Sequence, residues 1–274
     1  MTTSNPEIGL SINTGGIQTN YHDTGEGSPV LLIHGSGPGV SAWANWRLTI
    51  PALAVCHRVI APDMVGFGFT DRPVNADYGM ALWVRHAIDF IDALGLEKVS
   101  VIGNSFGGAL ALGLAVMHPQ RVDKLILMGS VGVDFEITDG LDKVWGYMPS
   151  IANMKALLDI FAYNRELVTD ELAELRYQAS IRPGFQKSFS SMFPEPRQQW
   201  VDSMRIEDQK IAALDNQTLI IHGREDQVIP FSNSLKLFSL IKHANLHAFG
   251  KCGHWSQIEH AESFNRIVVD FLAD

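Results

Sequence analysis

The chain has 274 residues, 46% of them hydrophobic, and carries 21 Lys and Arg against 30 Asp and Glu for a formal charge of -9. That length and apolar content suffice for one large core, and α/β units of this size routinely fold as one unit. The acidic balance argues against nucleic acid or an anionic membrane surface as partner, since either needs clustered Lys and Arg to displace counterions.

The N-terminus, Met1-Thr-Thr-Ser-Asn-Pro-Glu7, has no basic residue and no apolar stretch behind it, so it does not read as a secretion signal. The longest apolar run, Ala109 to Met117, is far short of the roughly 20 residues that span a bilayer. A soluble, cytoplasmic protein is the expectation. Cys56 and Cys252 lie in unrelated segments without metal-ligand spacing, which reads as reduced thiols. Neither a metal nor a cofactor is expected.

In chain order, Gly9 to Asp23 reads as a hairpin about Asn13-Thr14-Gly15-Gly16, forming an antiparallel edge. Apolar β-rich runs then alternate with helical patterns. Strands are predicted over Val30 to His34, Arg58 to Pro62, Val99 to Gly103, Lys124 to Met128, Thr218 to His222 and Leu246 to Phe249. Helical periodicity covers Leu82 to Leu94, Gly107 to His118, Phe231 to Ile241 and Glu262 to Leu272. This alternation predicts an α/β fold, a mostly parallel doubly wound sheet covered on both faces. From Gly132 to about Lys210 the helical patterns are rich in Met, Phe, Trp and Tyr and no convincing strand occurs. Residues 132–210 are expected to be a helical cap inserted into a core of 1–131 and 211–274, with a separate helical domain as the alternative.

Val99-Ser-Val-Ile-Gly103-Asn104-Ser105-Phe106-Gly107-Gly108 runs from an apolar strand through G-x-S-x-G into an apolar helix. This is the context of a nucleophile elbow, where glycines flank the serine because the turn leaves no room for side chains. A hydroxyl is a poor nucleophile near neutrality and needs a base, which needs an orienting acid. Asp226, after the strand Thr218 to His222, and His254, in Gly250-Lys-Cys-Gly253-His254-Trp255, supply them in the order Ser, Asp, His. Either alone reads as a cap or a loop histidine. Together, each at a strand's carboxyl end, they read as a triad.

The loop His34-Gly35-Ser36-Gly37-Pro38-Gly39 follows the first parallel strand, and the oxyanion hole is assigned to the N–H groups of Ser36 and Phe106. A dinucleotide-binding turn is the rival. Val40 at the third glycine position and Pro38, which lacks an N–H, argue against it. His243 and His247 straddle a helix-to-strand boundary and do not share a helical face on which to hold a metal.

His34-Gly-Ser-Gly-Pro-Gly39 with Asn45-Trp46, Gly103-Asn-Ser-Phe-Gly-Gly108, His222-Gly-Arg-Glu-Asp226, Gly253-His254-Trp255 and Ala179-Ser-Ile-Arg182-Pro-Gly-Phe185 together resemble the meta-cleavage product hydrolases of the α/β-hydrolase fold. The resemblance implies hydrolysis of a carbon–carbon bond in the dienoate ring-fission products of catechols, within the branch whose distal carbonyl bears hydrogen and releases formate. It implies Ser105, Asp226 and His254 as the triad, with Ser36, Gly37, Asn45, Asn104, Phe106, Arg182 and Trp255 around a small anionic dienoate. It also implies a homodimer or higher homo-oligomer. Arg182 makes sense unaided, since an acidic protein taking an anion needs a local cation and guanidinium grips carboxylate bidentately. Serine at position 105 eliminates dehalogenases and epoxide hydrolases, which need a carboxylate nucleophile. Hydrolysis of 6-alkyl or 6-aryl dienoates, a generic carboxylesterase and a non-catalytic receptor remain as alternatives.

Overall fold

The computed structural model describes residues 5–273. Eight strands, β1 (Leu10–Thr14), β2 (Ile17–Thr24), β3 (Pro29–Ile33), β4 (Arg58–Pro62), β5 (Val99–Asn104), β6 (Val122–Met128), β7 (Thr218–Gly223) and β8 (Ala244–Phe249), form one sheet in the order β1-β2-β4-β3-β5-β6-β7-β8. The hairpin β1–β2 lies at the edge, antiparallel to itself and to β4. Strands β3 to β8 pair in parallel. The predicted strands are all present with ends moved by one or two residues, as expected where a ladder's last hydrogen bonds decide the boundary.

Among the described residues there are thirteen α-helices: α1 (Ala42–Trp46), α2 (Ile50–Leu53), α3 (Met80–Ala93), α4 (Phe106–Met117), α5 (Asp139–Trp145), α6 (Ile151–Phe161), α7 (Asp170–Ser180), α8 (Phe185–Met192), α9 (Gln198–Met204), α10 (Asp208–Ala212), α11 (Phe231–Leu240), α12 (Ser256–Glu259) and α13 (Ala261–Ala273). The period-2 alternation of the strands divides the apolar residues between two layers. Leu31 and Ile33 of β3 pack with α3 and α4, whereas Val30 and Leu32 face the opposite layer with α1, α2 and α13. Phe264, Val268 and Leu272, spaced by four, form the single buried stripe of α13. α4 is buried along nearly its whole length beneath the middle of the sheet, which explains its almost wholly apolar sequence.

Between β6 and β7 the described chain is helical, α5 to α10, and contains no strand. Hydroxyls of Thr138, Ser150 and Thr169 cap α5, α6 and α7 by accepting from the first-turn N–H groups. Ile206 N–H donates to Gly132 O at 2.9 Å, so the two ends of the segment meet at a narrow neck. Beyond the neck, α10 packs against α4 and α11 of the sheet layer. No helix among the described residues is long and apolar enough to cross a membrane.

Candidate active site

Ser105 sits between β5 and α4 with φ 57° and ψ -115°, a strained backbone for a residue with a side chain. Neighbouring strands hold it there: its N–H donates to Met128 O at 2.8 Å, and its carbonyl accepts from Gly108 and Val131. The flanking glycines are obligatory, since a Cβ on Gly103 would lie 2.2 Å from Gly107 O and one on Gly107 2.3 Å from Ile33 O.

Asp226 follows β7, and its side chain is buried. Its Oδ1 accepts from the N–H groups of Val228 and Ile229 at 2.7 and 3.0 Å. Its Oδ2 meets His254 Nδ1 at 2.7 Å and His222 Nε2 at 3.1 Å. Burial pushes this carboxyl up, but the field of His254 and the hydrogen bonds from His222 and His254 outweigh it and hold the group well below the usual aspartate range. Asp226 Oδ2 and Ile229 O have only lone pairs to offer, so His222 Nε2 is the donor to both. Its Nδ1 is hydrogen-bonded to Ser234 Oγ at 2.6 Å. The motif contained His222, but not this second imidazole on the acid.

His254 lies in the loop between β8 and α12, where its N–H donates to Phe161 O at the end of α6 at 2.7 Å. The Phe161 ring stacks on Trp255 with centroids 5.0 Å apart and lies 5.9 Å from the His254 ring. Ser105 and His254 line one cavity. No hydrogen bond joins them among the described residues, and contacts of this kind commonly tighten only when substrate arrives.

The N–H groups of Ser36 and Phe106 have no acceptor among the described residues, as an oxyanion hole requires. The Phe106 side chain points away, edge-on to Trp83 at 4.6 Å in the core, so only its backbone belongs to the site. Asn45 Oδ1 holds the Ser36 loop by accepting from Gly35 N–H at 3.3 Å and from Asn104 Nδ2 at 3.0 Å. Below it, His34 is pushed down to about 4 by burial and stays neutral, donating from Nδ1 to Gly35 O and accepting Met64 N–H at Nε2. Trp145 of α5 donates to Ser36 Oγ at 2.9 Å.

The cavity holds about 500 Å³, within the usual range for small-molecule sites. Leu141, Val144, Met154, Leu158, Phe161 and Val228 line it, and so do Ser36, Gly37, Asn45, Asn104, Trp255 and Gln257. Glu7, Arg47, Arg176 and Arg182, also in its wall, form one charged cluster: Arg182 pairs with Glu7, and Arg176 feels the charges of Glu7, Arg47 and Arg182. Four buried polar atoms on this wall, Asn45 Nδ2, Asn104 Oδ1, Arg182 Nη1 and Gln257 Oε1, have no partner in the described chain. Buried polar atoms are normally paired, so these mark where a polar ligand would sit. Arg182 reaches the cavity with its other nitrogen already bonded to Glu7 Oε1 at 2.9 Å. Glu7, Arg47, Arg176 and Gln257 are lining residues that the sequence reading did not single out. Arg176 had one available signal: it stands three residues from each of the buried alanines 173 and 179, on the inward face of α7.

A family model described as the alpha/beta hydrolase fold matches residues 28–261. The chain is 60% identical over 271 residues, 99% of its length and 96% of the relative's, to a 2-hydroxymuconate semialdehyde hydrolase of Pseudomonas sp. (strain CF600). It is 59% identical over 273 residues, 100% and 99% of the two chains, to a 2-hydroxy-6-oxo-2,4-heptadienoate hydrolase of Pseudomonas putida. A solved meta-cleavage product hydrolase from Pseudomonas fluorescens IP01, a serine-to-alanine mutant complexed with acetates, superposes with a TM-score of 0.98 at 64% identity. That alignment covers 98% of this chain and 99% of the other.

Proposed function

The chain belongs to the α/β-hydrolase family and, within it, to the meta-cleavage product hydrolases, and on that premise we propose that it cleaves a carbon–carbon bond in a 2-hydroxy-6-oxohexa-2,4-dienoate, with Ser105 as nucleophile, His254 as base and Asp226 as its orienting acid. The product pair for the semialdehyde is 2-hydroxypenta-2,4-dienoate and formate. The observation that carries the reading is the cavity itself: Ser105 and His254 share its wall with a cluster of three arginines and with aliphatic side chains of α5 and α6, in a protein whose net charge is -9. The reading places the arginines at one end and the aliphatic side chains at the other. Such a site takes a molecule with an anionic head and an uncharged tail. A generic esterase has no use for the cationic end. Residues 132–210 are assigned the role of a cap that supplies the tail end and Arg182, over a core of 1–131 and 211–274.

The chemistry follows from the leaving group. A carbon leaving group must be stabilised before it departs, so the bound dienol first takes the keto form, moving a proton onto the carbon next to the distal carbonyl. Arg182, Asn45 and Asn104 hold the carboxylate and the neighbouring oxygen during this shift. His254 takes the proton of Ser105, whose oxygen adds to the distal carbonyl, and the oxyanion rests on the N–H groups of Ser36 and Phe106. When the bond breaks, its electron pair runs through the conjugated chain to the 2-keto oxygen, and the dienolate so formed takes up the proton held by His254, giving the dienol and freeing the base. Water then releases the acyl group from Ser105 by the same base.

Near-equal identity to a relative named for the semialdehyde and to one named for the heptadienoate, 60% and 59%, favours hydrogen and methyl alike at the distal carbonyl. A spectrophotometric panel of ring-fission products bearing hydrogen, methyl, isopropyl or phenyl tests the proposal through loss of the dienolate band. No turnover of any member, with hydrolysis of simple esters intact, would leave a carboxylesterase.

A further inference from the structure

Three arginines and one glutamate face the cavity, and they are not equivalent. Glu7 is fully engaged, accepting from Arg182 Nη2 at 2.9 Å and from Ser41 Oγ at 2.6 Å. Arg47 and Arg176 form no ion pair among the described residues, in a chain with 30 carboxylate side chains. Each has a single hydrogen bond to a backbone carbonyl: Arg47 Nη1 to Ala44 O at 2.7 Å, and Arg176 Nη2 to Pro38 O at 3.3 Å. Guanidinium offers five donors, so most of theirs stay unused. Both side chains are half-buried, and burial works against each charge. At Arg176, Glu7 favours the charge, while Arg47 and Arg182 repel it. Two like charges held near each other and near a third, with the one nearby carboxylate, Glu7, already bonded to Arg182, are an unfavourable arrangement unless an anion visits.

Their place in the cavity says which anion. Exposed Pro6 and Leu175, the latter 60% exposed, also line it and mark its mouth, beside Arg176 on α7. We propose that Arg47 and Arg176 form an outer anion subsite at this mouth, which captures a small carboxylate before Arg182 and the groups around Ser105 receive it. The inference rests on the proposed reaction for the identity of its natural ligand, since the dienoate and both of its products are carboxylates. The subsite raises the local concentration of the anion against the repulsion of an acidic protein, and it holds a departing product in the same way.

Sodium acetate is the probe, titrated against the full chain in the Arg182→Gln background so that inner-site binding does not mask the outer pair; Trp43, on the cavity wall, reports by fluorescence. Adding Arg47→Gln and Arg176→Gln should weaken acetate binding by about tenfold, the loss of one to two charge-assisted hydrogen bonds. With Arg182 intact, the same pair should flatten the fall of kcat/KM for the dienoate with ionic strength. Its loss at low salt should exceed that for a neutral nitrophenyl ester at least fivefold. Leu175→Glu and Leu175→Lys, on an exposed rim position that folding tolerates, should shift acetate affinity in opposite directions. Unchanged acetate affinity in all four substitutions overturns the subsite. If dienoates are not turned over at all, the acetate titration still decides, so failure of the subsite and failure of the reaction are separable.

Discussion

The two ends of the cavity are built by different forces. At the aliphatic end, Leu141 and Val144 of α5, Met154, Leu158 and Phe161 of α6, and Val228 offer the cavity only apolar surface. At the cationic end the side chains are fixed by directed bonds: Arg182 to Glu7, Glu7 to Ser41, Asn104 to Asn45. Packing is graded and non-directional, whereas a charge-assisted bond is present or absent. In the proposed reaction the cationic end sets which way round the dienoate lies, and the aliphatic end grades how large its distal substituent can be.

The largest effect is expected where the ends meet. Ser105→Ala should lower kcat by about four orders of magnitude while leaving both ends intact, so stopped flow should still show the dienolate band shift on mixing. Near-normal turnover would transfer the nucleophile's role to water activated by His254.

At the cationic end, Arg182→Ala should raise KM for the dienoate about 10- to 100-fold and change that for a neutral nitrophenyl ester less than about threefold. Equal losses on the two substrates would mean that Arg182 acts through folding, and the division of labour would collapse. At the aliphatic end, the wild type should favour hydrogen and methyl over phenyl in kcat/KM. Leu158→Ala should move the phenyl-to-methyl ratio upward by about tenfold, the scale of a few methylenes in an apolar pocket. No shift would place the substituent elsewhere.

The smallest effect concerns the support beneath the cationic end. His34 and His86 are both pushed down to about 4 by burial, so the stability they contribute is present above pH 6.5 and is lost as pH falls through 4. Asp63, pushed up to about 6 by burial despite the N–H groups of Phe69 and Ala42, has the opposite sign: its contribution is present below pH 3.8 and is lost as pH rises through 6. With two imidazoles against one carboxyl, Tm should drop by a few degrees between pH 7.5 and 4.5, and Asp63→Asn should steepen that drop. A shallower drop in this variant would contradict the assignment.

Much of this was readable from residue order. The β-branched runs and turn glycines located every strand, because a parallel sheet buried on both faces leaves an apolar signature that tertiary context does not override. The candidates Ser105, Asp226 and His254 stood out because each stands in a turn whose local chemistry is distinctive, and the structure brings Asp226 against His254 and places Ser105 on the same cavity. The cationic end was only partly so. Arg182 stood out beside its proline, but its partner Glu7 is 175 residues away, in a segment with no local pattern that announces it. Arg176, flanked closely by exposed Glu174 and Leu175, reads locally as a solvated charge; only the fold turns its face inward. His222 on Asp226 was hidden for the same reason, since its second bond depends on where β7 leaves the chain.

One backbone hydrogen bond has a further consequence. Phe161 ends α6 and receives the N–H of His254, while its ring lies along the same loop. The helical insertion and the sheet are thus not interchangeable modules. A chimera that borrowed residues 132–210 from a relative would import a new anchor for the base along with new walls. Specificity and rate would then change together, however carefully the borrowed walls were chosen.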